Sequence, residues 1–155
     1  MNKYLSAMIA GFLATVVLSI LMVLKSSMGI MPELNVITML TQMGYMNVGL
    51  PANPIIGWIM HFMIGTVLWG LLFVSLYSVL PGSTPLRKGL SFSILAWLLM
   101  MVIPMPMIGA GLFAMRLGMM APIMTLILHL IWGAVLGSVY GVLRSQQCGT
   151  SGKPA

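Results

Sequence analysis

The chain has 155 residues, 60% hydrophobic and 5% charged, with seven basic side chains against one acidic and a formal net charge of +6. A soluble domain of this size needs a charged shell that this composition cannot supply, so lipid rather than water must face most of the surface. The basic residues stand singly or as the pair Arg87-Lys88 at the ends of apolar runs, without a basic stripe or interleaved aromatics, which argues against nucleic acid as a partner and leaves these charges as topology signals.

The first apolar run, Tyr4 to Leu24, is long enough to cross a hydrocarbon core of about 30 Å at about 1.5 Å per residue. It exceeds the usual signal core of about 7–15 residues, and no small-x-small site follows it, so it reads as a retained span. Next comes PELNVITMLTQM, Pro32 to Met43. Proline suits a first helical turn, and Val36, Ile37, Leu40 and Met43 share one face, which predicts a short amphipathic helix in the membrane interface. The second span is expected at Ile55 to Leu80 and the third at Gly89 to Ile108, with Pro104 and Pro106 bending or ending the third near its outer end. Leu112 to Met120 reads as a shorter interfacial segment, and Ile123 to Leu143 as the fourth span.

These runs are continuous rather than alternating, which excludes membrane strands. The predicted fold is all-α, an integral membrane four-helix bundle in a single transmembrane domain, residues 1–144. Residues 145–155 (SQQCGTSGKPA) are polar and are expected to form a disordered cytoplasmic tail. Cys148 is the single cysteine, so it closes no disulfide within the chain and belongs to no zinc pattern. Lys3, Arg87, Lys88, Arg144 and Lys153 fall on one side of the spans, and Lys25 and Arg116 fall on the other with Glu33. That bias predicts cytoplasmic N- and C-termini.

An internal repeat is legible. Pro54 begins PIIGWIMHFMIGTVL and Pro122 begins PIMTLILHLIWGAVL, which puts His61 and His129 in one register, with Gly65 and Gly133 four residues on. The first and third spans align from Lys3-Tyr-Leu5-Ser6 onto Lys88-Gly-Leu90-Ser91. The expectation is a tandem duplication, residues 3–80 and 88–143, with two helices per copy and a pseudo-twofold axis along the membrane normal. Gly65, Gly133 and Gly137 are the expected close-packing positions, the last two forming a small-xxx-small pair.

Such an axis places His61 and His129, the only histidines of the chain, at one depth and facing one another. Ionisable groups inside a membrane are costly and mark functional sites. Two imidazoles on facing helices would suit the iron of haem b or a bare transition metal. They would equally serve as polar glue between helices, or as steps on a proton path. Apart from Met1 and Met8, every methionine lies in the outer half of a span or in an outer connection. Met105, Met107, Met119 and Met120 are therefore candidate copper ligands, thioethers being soft donors for Cu(I). The alternative is methionine as flexible apolar filler. Glu33 is the only side-chain carboxylate, so paired acid–base chemistry has no parts, and no Ser-His-Asp set or phosphate loop appears. The expectation is a non-enzyme.

The pattern Pro54-x6-His61-x3-Gly65, repeated as Pro122-x6-His129-x3-Gly133, resembles that of small bacterial four-span proteins grouped as domains of unknown function. The resemblance implies an inner-membrane location. The functional expectation is a small inner-membrane protein in contact with the lipid bilayer that binds haem or copper through the histidine pair. The alternatives are an accessory subunit of a larger membrane complex, a homodimer, or a small channel or transporter.

Overall fold

The computed structural model describes residues 2–150, with side chains described to Gln146. Lys153 and the Cys148 side chain lie outside the described residues. Four helices are long and apolar enough to cross a membrane. We number the helices α1 (Lys3–Ser27), α2 (Val36–Val48), α3 (Pro54–Leu76), α4 (Pro85–Val102), α5 (Pro104–Met107) and α6 (Met120–Thr150). The spans are α1, α3, α4 with α5, and α6.

The first four helices start where a side chain replaces the missing backbone acceptor. Asn2, Asn35, Asn53 and Thr84 accept from the amides of Tyr4, Thr38, Ile55 and Arg87, and proline follows directly in α3 and α4. The Asn35 cap starts α2 at Val36, four residues later than Pro32, and Gly49, left-handed at φ 72°, ends it. Proline at 104 has no amide to continue the ladder of α4, so the third span breaks there as its sequence predicts. At the other end of the chain, α6 continues past Leu143, and residues 145–150 are helical rather than a disordered tail; residues 151–155 lie outside the described residues.

Packing reverses the soluble pattern. The buried face of α1 is Ser6, Ala7, Ala10, Gly11, Ala14, Thr15 and Ser19, while Leu5, Phe12, Leu13, Ile20 and Val23 point outward. In lipid, large apolar side chains gain little by turning inward, whereas small ones let backbones approach. The three glycines expected at close approaches all sit at helix crossings. A Cβ on Gly65 would collide with the Thr15 side chain, one on Gly133 with Ser93 and with the Gly89 carbonyl at 2.5 Å, and one on Gly137 with the Pro85 carbonyl.

These crossings set a register between the two helix pairs. A Cβ on Gly11 would lie 2.8 Å from the Gly65 carbonyl oxygen, and one on Gly89 would collide with the Gly133 carbonyl. By contact, then, Gly11 corresponds to Gly89 and Thr15 to Ser93. This displaces the Lys3-onto-Lys88 alignment of the first and third spans by about two helical turns.

Two clusters close the ends of the bundle. Nearer the termini, Phe73, Phe92, Trp132, Leu136 and Tyr140 form a dense core, with Phe73 lying 5.3 Å from both Phe92 and Tyr140. At the opposite end, Leu34, Met101, Met105, Ala110, Ala114 and Ala121 pack together beneath the connections. There Leu112–Leu117 is a 3-10 turn rather than an amphipathic helix, and its Phe113 and Ala114 are left-handed, both at φ 54°. Left-handed backbone costs a non-glycine residue about 1–3 kcal/mol and persists only when its surroundings hold it. Here the full burial of Ala114 and the Trp97–Phe113 ring contact at 5.7 Å do so.

Candidate functional site

Between the two clusters the helix pairs part and leave one cavity of about 460 Å3. That size falls in the range of small-molecule sites. Aliphatic and methionine side chains form most of its wall, from α1 (Leu18, Met22), α3 (Ile64, Leu72) and α4 (Leu99, Met100). From α2, Val36, Met39, Leu40 and Met43 close it from above, while Ile37, Thr41 and Gly44 are buried and Gly57 of α3 packs on Ile37 and Thr41. The amphipathic segment is thus a roof over the cavity. Leu68 on α3, Leu99 on α4 and Ile103 just after it line the cavity and are also partly exposed on the outside of the bundle.

Both histidines line this cavity. Their hydrogen bonds differ. His61, 7% exposed, places Nε2 3.2 Å from Ser19 Oγ on α1. The single Ser19 hydroxyl proton is committed to the Thr15 carbonyl at 2.7 Å, so His61 Nε2–H donates and the Nδ1 lone pair remains. His129 instead places Nδ1 2.7 Å from the Thr125 carbonyl one turn back on its own helix. A carbonyl only accepts, so Nδ1 carries the proton and Nε2 keeps its lone pair. An imidazole held through one nitrogen by a carbonyl, with the other free, is the usual arrangement of a metal ligand.

The register explains the asymmetry. Counting from Gly11 and Gly89, the place of Ser19 on α1 is taken on α4 by Trp97. That indole donates to Thr125 Oγ1 at 3.1 Å and offers His129 no acceptor. One turn before His61 stands Gly57, and one turn before His129 stands Thr125.

Of the expected methionine ligands, Met105 is buried and lines the cavity. Met107, Met119 and Met120 are 52%, 75% and 59% exposed and face away from it, so the four do not form one site. Met22, Met39, Met43 and Met100 are the thioethers that join Met105 there. Sequence reasoning missed the polar residues around the histidines: Thr15, Ser19 and Thr125. Thr15 and Ser19 stand one turn apart inside an apolar span, which was their visible signal. Among the described residues no group of three or more His, Cys, Asp or Glu side chains could hold a metal. An ion here would rely on imidazole and thioether.

The chain belongs to a family of unknown function, DUF6789, whose model matches residues 1–151. No curated protein and no solved structure matches it.

Proposed function

We propose, from the geometry rather than from a family that carries no assigned activity, that the chain is a non-catalytic membrane protein that holds an apolar ligand between its two helix pairs. The observation that carries this reading is that both intramembrane histidines line one apolar cavity, each with a ring nitrogen left for a ligand. Haem b is the ligand whose chemistry uses every part of the site, because its macrocycle needs apolar walls and its iron takes an imidazole. His129 Nε2 is the ligand nitrogen, and His61 lines the same space. The exposed Leu68, Leu99 and Ile103 give a bilayer-dissolved molecule a way in between α3 and α4.

A second reading, Cu(I), is favoured by the five thioethers Met22, Met39, Met43, Met100 and Met105 on the same wall. In either case the protein sits in a bacterial inner membrane with both termini cytoplasmic, a placement supported by the basic residues at the α3–α4 turn and at the chain ends.

The test is a purified preparation in mild detergent, titrated with haem b and separately with Cu(I), with visible spectra and metal analysis. A saturable Soret shift at one haem per chain supports the first reading, and bound copper without that shift supports the second. A chain that takes up neither overturns both.

A further inference from the structure

Above the apolar cavity lies a second, polar pocket of about 400 Å3, to which Glu33, Asn35, Thr38, Gln42 and Arg116 contribute. Met39 and Ile108 line both spaces, so two side chains form the partition between a polar mouth and an apolar interior. We infer that the ligand of the cavity is an anionic amphiphile, with its apolar body between the helix pairs and its acid group on Arg116 in the outer mouth. The inference rests on the proposed function, since it assigns the second end of the same ligand.

The charges at the mouth point to an anion. Lys25 Nζ gives its three protons to the carbonyls of Ile30, Met31 and Leu34 at 3.1, 2.9 and 3.0 Å. Glu33 acts on it at Coulombic range, without an ion pair among the described residues. Arg116 is different. One guanidinium N–H donates to the Gly109 carbonyl at 3.1 Å, and among the described residues the group makes no ion pair. Its remaining donors form the planar fork that carboxylates and phosphates accept. Asn35, Thr38 and Gln42 add uncharged donors on the α2 side of the same pocket.

The backbone supplies an independent observation. The left-handed pair Phe113-Ala114 stands two residues before Arg116, whose amide returns to the Ala110 carbonyl at 3.1 Å. Backbone held in such sparsely populated conformations gathers at ligand clamps. In this chain it fixes a residue whose guanidinium makes no ion pair among the described residues.

Two sources share this chemistry: a macrocycle with carboxylate side arms, and a lipid with an acidic head. The test titrates the detergent-solubilised full chain with two probe pairs, haem b against its dimethyl ester and a fluorescent long-chain fatty acid against the matching alcohol. The expected result is that the acid of one pair binds about tenfold more tightly than its neutral partner, a difference of about 1.4 kcal/mol. R116Q should abolish that preference by lowering the acid's affinity to that of its neutral partner, and R116K should keep part of it. The pair that shows the preference identifies the source. Equal binding of acid and neutral forms in both pairs, or a preference that survives R116Q, overturns the inference and leaves the cavity reading standing. If no member of either pair binds, both fall together.

Discussion

Trp132 on the last span donates its indole N–H to Thr15 Oγ1 on the first, at 3.3 Å and across 117 positions of sequence. The bond joins the two helix pairs just beneath the cavity, where Thr15 also lies against Gly65. Thr15→Val keeps the shape and strands the indole proton, so it should destabilise the chain. A double-mutant cycle with Trp132→Phe should return a coupling near 0.6 kcal/mol, the average for hydrogen bonds between membrane helices. The measurement is reversible unfolding in mixed micelles. Thr66→Val gives the opposite sign, because Thr66 Oγ1 is buried with no partner among the described residues. Removing that hydroxyl should leave stability unchanged or raise it. A loss at Thr66 equal to that at Thr15 would contradict this account of both.

A Cβ at Gly133 would meet the Gly89 carbonyl at 2.5 Å, a backbone atom that cannot swing aside, whereas one at Gly44 would meet Met60 Sδ at 3.0 Å, the end of a flexible side chain. Gly133→Ala should therefore push α4 and α6 apart at a cost of about 1–3 kcal/mol. Gly44→Ala should be absorbed by a rotamer change. The two variants, compared by thermal unfolding in detergent, should differ clearly. Equal midpoints would mean that the α4–α6 crossing is looser than its glycines imply.

The Lys25 ammonium holds three carbonyls of the connection between α1 and α2. Lys25→Met retains an apolar stem against the cavity and removes all three donors. Hydrogen exchange and limited proteolysis should then rise across residues 28–35 and stay unchanged in the aromatic cluster around Phe73. If the connection keeps its protection in the variant, the buried Leu34 and the Asn35 cap hold it without the lysine.

The spans and the proline break after α4 were legible because each is written locally, in a run length or a missing amide. What the histidines touch was not. Whether His61 meets Ser19 depends on the rotation of α1 against α3, and that rotation is set by Gly11 meeting the Gly65 carbonyl. The contacts pair the first and third spans differently from the alignment of Lys3 onto Lys88, for a related reason. Leucine and isoleucine repeat on lipid-facing surfaces without marking depth, whereas Gly11 and Gly89 mark the crossings themselves. Met107, Met119 and Met120 share a sidedness with Met105 but not a direction, and sidedness was all that the sequence carried. The five-residue π segment at Ile64–Leu68 left no trace in composition, although Gly65 within it did.

The two histidines should respond unequally to replacement. A symmetric clamp would lose as much binding from His61→Ala as from His129→Ala. Among the described residues His129 Nε2 has no partner while His61 Nε2–H is spent on Ser19, so His129→Ala should abolish the Soret shift on haem addition and His61→Ala should only weaken it. Ser19→Ala refines the test. It removes the acceptor of His61, leaves both imidazoles in place and frees that ring to turn toward the cavity. Haem affinity should then rise, and the Soret and visible bands should move toward those of a bis-imidazole complex. The same variant in a His61→Ala background should show neither change, which separates a freed ligand from a loosened helix. Equal losses for the two histidines, with no response to Ser19→Ala, would restore the symmetric clamp and remove the role assigned here to the Ser19 hydroxyl.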